Sequence, residues 1–324
     1  MKSTGLESVE AAVMITSSEA WRRRAASVML AAALACGVLP AARSQDAVGV
    51  EQLTGTLKKI ATTRTITLGY RDASIPFSYL SAVGKPIGYS IDICLEIVGD
   101  IRAELGDDSI EVKYVAVDTM TRIPRVVDGT VDLDCGTTTN IAERRKQVAF
   151  SPITFVSGTK LLIKRTSKLR SYGELKGRIV AVTPASTNEA AIKALNAREG
   201  LAISILVVPG NTQAFEALIA GKADAWAGDD ALLYATAAES KNPGDFIVLD
   251  QFLSYDPYGI MYRKDDPALD TLVKRSFERM AEERELARIY EQWFLRKLPS
   301  GRTLGLSMSP QLESIFESLG QPTE

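Results

Sequence analysis

The pattern G-x-x-D-x-x-x-G occurs twice, as Gly129-Thr-Val-Asp132-Leu-Asp-Cys-Gly136 and as Gly221-Lys-Ala-Asp224-Ala-Trp-Ala-Gly228. In each copy a helical-looking segment ends at the first glycine, a short apolar strand follows, and the second glycine stops it. Two such units predict a chain made of two similar α/β halves. They hand over to opposite chemistry: Thr137-Thr138-Thr139 and Arg144-Arg145 after the first, Asp229-Asp230 after the second. Hydroxyls and guanidinium groups hold anions, and carboxylates hold cations. A zwitterion gripped between the halves fits both.

At 324 residues the chain has room for two compact units. With 46% hydrophobic and 24% charged residues it is a globular composition, not a disordered one. The net charge of −2 argues against a nucleic-acid surface. There is no histidine. That removes the commonest general base, the commonest metal ligand and every Ser-His or Cys-His nucleophile pair. No catalytic residue, metal site or cofactor is expected.

Trp21-Arg22-Arg23-Arg24 precedes the apolar run Ala25 to Ala35, a charged n-region and an h-region too short to span a bilayer. Residues 1–44 are therefore expected to be a secretory signal peptide, with small residues Ala42 and Ser44 at the selective positions and Met14 as an alternative start. A buried or membrane-anchoring helix is the other reading. Residues 45–52 read as a polar linker. Cys36 stands where a lipoprotein cysteine stands, but Ala33-Leu-Ala-Cys36 is a poor lipobox, so a lipid anchor is not favoured. Only Cys94 and Cys135 lie beyond the cleavage point. An oxidising compartment allows them to pair, and two buried thiols fit the sequence nearly as well.

Along the folded part, strands alternate with helices. Thr65 to Tyr70 and Glu111 to Val117 read as strands, with Ser90 as the cap of a helix between them whose apolar stripe is Ile91, Leu95, Val98, Ile101 and Leu105. Pro124 restricts its helix to a start near Thr121, which places Arg122 in the first turn. Strands are expected at 130–135, 156–163, 177–182, 203–208, 222–227, 247–249 and 258–263. Ser186-Thr-Asn-Glu189 matches a capping box. Helices are expected at 213–220, 230–240, 269–280 and 281–294, and Ser309-Pro310 opens a last one. The reading is an α/β chain of two lobes: 53–157 as the first part of lobe 1, 158–256 as lobe 2, and 257–324 as the return to lobe 1 with C-terminal helices. Ligands of such sheets collect at the carboxyl ends of strands.

Thr137, Thr139, the start of the helix capped by Asn140, and Arg144 form one candidate carboxylate site, and Asp229 a candidate ammonium site. The same residues also read as ordinary structure: Arg144 as a solvated helix-face charge, Asp229 as a helix N-cap, Ser186 as the cap of its box. Arg71, directly after a strand, and Arg122 exceed what one α-carboxylate needs. If both face the cleft, the ligand carries a second carboxylate.

With those residues assembled, the chain resembles the glutamate/aspartate periplasmic binding proteins. These are extracellular solute-binding proteins of family 3 that serve amino-acid ABC transporters. The resemblance runs from about Leu53 to Phe316. It rests on Tyr70-Arg-Asp-Ala-Ser-Ile-Pro-Phe-Ser-Tyr79, Arg122-Ile-Pro124, Cys135-Gly-Thr-Thr-Thr-Asn-Ile-Ala-Glu-Arg144 and Asp229-Asp-Ala-Leu-Leu233, among other runs. It implies the type II fold of two α/β lobes joined by two hinge strands, a monomer in the periplasm, and membrane permease subunits as partners. Ligand capture by lobe closure is implied with it. Arg71 and Arg122, helped by Thr119, match positions that grip the ligand's side-chain carboxylate. Arg144, Thr139 and Ser186, with Thr183 nearby, match the α-carboxylate site. Thr137 and Asp229 match the ammonium site. Asn211 stands where the acidic-ligand subgroup carries a histidine, and Thr119 and Thr137 each replace a serine, which leaves the choice between L-glutamate and L-aspartate open. The rival classes are a dehydratase-like enzyme on the same fold, a binding protein for another polar amino acid, and a receptor sensor module. The missing histidine counts against the enzyme. No apolar run of about 20 residues follows the lobes to make the module a membrane receptor.

Overall fold

The structure is a computed structural model and describes residues 52–321. The expected signal peptide and Cys36 lie outside the described residues. After α1 (Gly55–Thr63), β1 (Thr65–Tyr70) leads into a small sheet of β2 (Ala73–Ser74), β3 (Ser78–Leu80) and β4 (Pro86–Ile87). Then come α2 (Tyr89–Leu105), β5 (Glu111–Ala116), α3 (Arg122–Val127), β6 (Leu133–Asp134), α4 (Ala142–Arg145) and β7 (Val148–Phe150). β8 (Phe155–Ser157) crosses to the second lobe. That lobe comprises β9 (Thr159–Lys164), β10 (Ile179–Val182), α5 (Thr187–Glu199), β11 (Ser204–Val207), α6 (Asn211–Ile219), β12 (Ala225–Asp229), α7 (Asp230–Glu239) and β13 (Phe246–Val248). The chain returns through β14 (Asp256–Tyr258), antiparallel to β8, and closes with β15 (Met261–Arg263), α8 (Pro267–Glu282), α9 (Glu285–Tyr290) and α10 (Pro310–Leu319).

The two main sheets repeat one topology. Their orders are β5-β1-β6-β15-β7 and β11-β10-β12-β9-β13. In each, three parallel strands are followed by one antiparallel neighbour, β15 in the first and β9 in the second. The paired motifs have the same task in both. The Asp132 N–H donates to Thr67 O at 2.9 Å, and its carboxylate accepts from Thr67 N at 2.8 Å. Asp224 does the same to Ile179, at 2.8 Å in both directions. Each aspartate thus fastens the start of its strand to the start of the neighbouring parallel strand. Gly129 at φ +80° and Gly221 at φ +70° turn the chain through the left-handed region that L side chains avoid.

Local details differ from the sequence reading where a competing partner exists. Ser90 does not cap α2. Gly88 holds the N-cap position, and the Ser90 hydroxyl, inside the first turn, donates to Gly136 O at 2.8 Å. Leu95 is exposed, while Ile93, Cys94 and Ile97 are buried with Ile91, Val98 and Ile101. Asn140 does not cap α4, whose N-cap is Ile141; its side chain instead accepts from Arg145 Nη1 at 2.7 Å. Thr121 holds the expected N-cap position of α3 without a side-chain cap bond, and the Asp118 carboxylate accepts from the backbone N–H groups of Met120 and Thr121 in the turn before the helix. Ser186 caps α5 by accepting from Glu189 N, but Glu189 reaches back to Ala185 N and not to the cap residue. The expected 156–163 strand is broken at Gly158, and 258–263 is broken between β14 and β15. At Gly158 a Cβ would lie 2.2 Å from Ser254 O, so only glycine lets the two crossing segments pack this closely.

Residues of β9, β10 and β12 alternate between two apolar clusters. Leu161, Ile163 and Val180 face one side, and Leu162, Ala181 and Trp226 the other. A sheet buried on both faces holds its strand ends in fixed positions. In the first lobe Cys94 of α2 and Cys135 after β6 form a disulfide with Cα atoms 6.2 Å apart and both residues fully buried. It ties α2 to the loop that carries Thr137. Replacing both cysteines by serine should lower unfolding stability by about 4 kcal/mol on the loop-entropy account. The check is the denaturant midpoint against the oxidised protein.

Candidate ligand-binding site

The parallel strands of both sheets end at one cleft. Arg71 follows β1, Thr119 and Arg122 follow β5, and Thr137, Thr139 and Arg144 follow β6. Across from them, Thr183 and Ser186 follow β10, Asn211 opens α6 after β11, and Asp229 ends β12. All of these line a single cavity between the lobes. Thr187, Asn188, Trp226, Ala227, Gly228 and Leu232 complete its wall, none of them expected from sequence as a ligand contact. Thr187 and Asn188 had a signal, because they occupy the first turn of a helix whose cap was recognised. Trp226 and Leu232 read only as core.

Arg122 is 3% exposed, and Arg71 and Arg144 are 7% exposed each. Among the described residues none of the three forms an ion pair. Burial pushes all three guanidinium pKa values down, Arg122 to about 9, where repulsion from Arg144 and Arg71 adds to the effect. Arg144 is no solvated helix-face charge. Its Nη1 donates to Thr139 O at 2.9 Å and its Nη2 to Ala185 O at 3.2 Å, across the cleft. Arg122 Nη1 donates to Thr138 Oγ1 at 3.0 Å, and Thr138 donates to Asp134 Oδ2 at 2.6 Å.

Asp229 holds the N-cap position of α7 without capping it. Its Oδ2 accepts from the Tyr258 hydroxyl at 2.5 Å. Burial, then the negative charge of Asp256, pushes its carboxyl up to about 7. Ser186 does cap α5, and its hydroxyl also donates to Thr183 O at 2.7 Å. Both of its hydroxyl functions are therefore used within its own loop. Asn211 Nδ2 donates across the cleft to Ala73 O at 3.3 Å and Ser74 Oγ at 3.4 Å. Thr119 Oγ1, Arg122 Nε, Asp134 Oδ1 and Asp229 Oδ1 are buried without a partner in the protein. A buried polar atom left unpaired costs about 1–3 kcal/mol, so such groups call for an outside partner.

A site of this kind, at the strand ends of two α/β lobes, belongs to a recognisable class. The family model for bacterial extracellular solute-binding proteins, family 3, matches residues 66–296. The chain belongs to this family. Among solute-binding relatives, it is similar to the L-glutamate/L-aspartate-binding protein of Pseudomonas aeruginosa. The two are 41% identical over 297 residues, which cover 91% of this chain and 97% of the relative. The glutamate/aspartate import solute-binding protein of Escherichia coli is 33% identical over 296 residues, 91% of this chain and 96% of the relative. A solved mutant of the T. maritima arginine-binding protein superposes with a TM-score of 0.66 at 26% identity, covering 74% of this chain and 99% of its own. These likenesses agree with a type II periplasmic-binding fold of two α/β lobes. Among the described residues no helix is long and apolar enough to cross a membrane.

Proposed function

We propose that this protein captures L-glutamate and L-aspartate in the periplasm for an ABC importer, holding the ligand between its lobes and handing it to membrane permease subunits. One observation carries the reading. The cavity presents three buried guanidinium groups without a carboxylate partner, and one carboxylate, Asp229, with an unpaired oxygen. An amino acid with two carboxylates and one ammonium supplies the missing partners. Arg71, Arg122 and Thr119 take the side-chain carboxylate, with Asn211 at its edge. Arg144, Thr139 and Thr183 take the α-carboxylate together with the backbone amides at the start of α5, and Ser186 contributes by fixing that helix start through its cap rather than through its hydroxyl proton. Thr137 and Asp229 take the ammonium. The similarity to two glutamate/aspartate-binding proteins supports the same ligand class. The work done on the ligand is capture and release, which needs no catalytic group, and the protein acts as a monomer.

Discrimination follows from the same arginines. An amide in place of the side-chain carboxylate leaves Arg71 and Arg122 without a counter-charge in a closed site, and such a site rejects the isostere strongly. Calorimetric titration with L-glutamate, L-aspartate, L-glutamine and L-asparagine should give heat with the two acids. Clear binding of an amide and none of either acid would sink the reading. Replacing Arg122 by alanine should weaken acidic ligands by about 100-fold, within the usual range for breaking a buried charge pair, and change amide binding little. Equal losses for acids and amides would place Arg122 elsewhere than at the side chain.

A further inference from the structure

Three of the four unpartnered buried atoms belong to residues that line the cavity, Thr119, Arg122 and Asp229, and the proposed ligand supplies their partners. The fourth, Asp134 Oδ1, belongs to a residue that lies behind the cavity wall and is 1% exposed. Its surroundings are specific. Its other oxygen is linked through the Thr138 hydroxyl to Arg122 Nη1. Oδ1 lies 3.5 Å from where a Cβ would stand on Gly136, and that point is 3.2 Å from Arg71 Cγ. Asp134 therefore sits beneath both arginines of the side-chain end. The other acidic neighbours of Arg71 are Asp72 and Asp118 at the mouth of the cleft, both exposed, where water screens them. Asp229 and Asp256 lie at the ammonium end.

We infer that Asp134 sets the net charge of the ligand side chain that the site accepts. The inference rests on the glutamate/aspartate reading above and deepens it. Two guanidinium groups over one buried carboxylate leave that end of the cavity short by one negative charge. Closing the lobes over a side chain of charge −1 buries a balanced cluster. A side chain of charge 0 or −2 leaves a net charge in a dry site, which is costly. Coulomb attraction alone makes the opposite prediction: deleting Asp134 exposes more positive potential and should tighten every anion. Asp134 touches no ligand atom. It is a positioning and charge-balancing residue.

The test is a charge-swap series read by calorimetry, with L-glutamate, L-glutamine and L-2-amino-4-phosphonobutyrate as probes. At about pH 8 the phosphonate carries close to two negative charges. Asp134→Asn keeps the shape and the Thr138 hydrogen bond. It should weaken glutamate by about 30-fold while improving the phosphonate relative to glutamate by at least about tenfold. Arg71→Gln removes one of the two positive charges, leaves the empty end neutral, and should lower the glutamate-to-glutamine preference by about tenfold or more. The double variant restores a single unmatched positive charge, so it should regain the glutamate preference that Arg71→Gln loses. That rescue is something a merely structural role for Asp134 would not give, and it is read independently of the Asp134→Asn protein. Glutamate binding to Asp134→Asn as tight as to the wild type, or no rescue in the double variant, would overturn the inference and leave the ligand assignment standing. A wild-type protein that binds only neutral amino acids would overturn both.

Discussion

Replacing Arg144 by alanine should raise the dissociation constant of every α-amino acid by about 1000-fold, whatever its side chain. Arg144 is buried at the meeting of the lobes, its guanidinium fixed by Thr139 O on one side and Ala185 O on the other. The α-carboxylate proposed to meet it is common to all candidate ligands, so on that reading the loss is not confined to acids. Two effects add. The charge-assisted pair disappears, and the contact that Arg144 makes to the second lobe goes with it. Arg144→Lys should recover only part of the loss, because an ammonium keeps the charge but not the planar fork that can contact the carboxylate and both carbonyls together. Titration of glutamate and glutamine with both variants checks this. A loss confined to acidic ligands would exchange the proposed roles of Arg144 and Arg122.

The duplicated topology was the most legible part of this chain. The two G-x-x-D-x-x-x-G copies mark the third parallel strand of each sheet, and their aspartates repeat one clamp on Thr67 and Ile179. Both strands start directly after the motif aspartate, but the first ends at Asp134 and the second runs through Gly228 to Asp229, so the second glycine does not stop it. The residue after that glycine, Thr137 in one copy and Asp229 in the other, lines the cavity in both. What stayed hidden depends on long-range partners. Tyr258 reaches Asp229 only because β14 returns beside β8, a pairing that no local pattern announces. Asp134 read as a strand residue inside the first motif. Its role as an anion beneath Arg71 and Arg122 appears only when β1 and β6 lie side by side. Ser90 and Asn140 have the chemistry of caps, yet each found a stronger partner elsewhere, Gly136 O for one and Arg145 for the other. Local propensity is a weak prior against such contacts.

Some bonds between the lobes are short, as from the Ser300 hydroxyl to Glu239 Oε1 at 2.6 Å and from the Tyr258 hydroxyl to Asp229 Oδ2 at 2.5 Å, but others that cross the cleft are long. Asn211 meets Ala73 and Ser74 at 3.3 and 3.4 Å, and the hydroxyls of Thr139 and Thr187 approach to 3.5 Å. Hydrogen bonds of this length contribute weakly. On the proposed reading the ligand adds to closure, because its charged groups meet Arg71, Arg122 and Arg144 from one lobe and Asp229 from the other. A ligand that touches only one lobe has no differential affinity for the closed form and cannot shift the equilibrium.

Asp229→Asn should weaken glutamate by about 100-fold or more at pH 8, and it should also abolish a pH dependence that the wild type shows. Burial and Asp256 hold the Asp229 carboxyl at about 7, far above an ordinary aspartate. On the proposed reading the ligand's ammonium needs the ionised form. Above about pH 7 that form is already present and affinity is flat. Below it, binding must displace a proton, so affinity should fall by up to about tenfold per pH unit. Glutamate's own carboxylate stays ionised down to about pH 5, so the slope belongs to the protein. Stability runs the other way. A raised aspartate pKa favours the folded, ligand-free protein most at low pH, and that contribution is lost as pH rises from about 4 through 7. Asparagine mimics the neutral form, so the variant should melt higher than the wild type at pH 8 without ligand and gain less on adding it. Titrations between about pH 5.5 and 8, paired with melting curves, read both signs together. A wild-type affinity that does not change across that range would mean that Asp229 is ionised throughout, with the ammonium held against a carboxylate that never carries a proton.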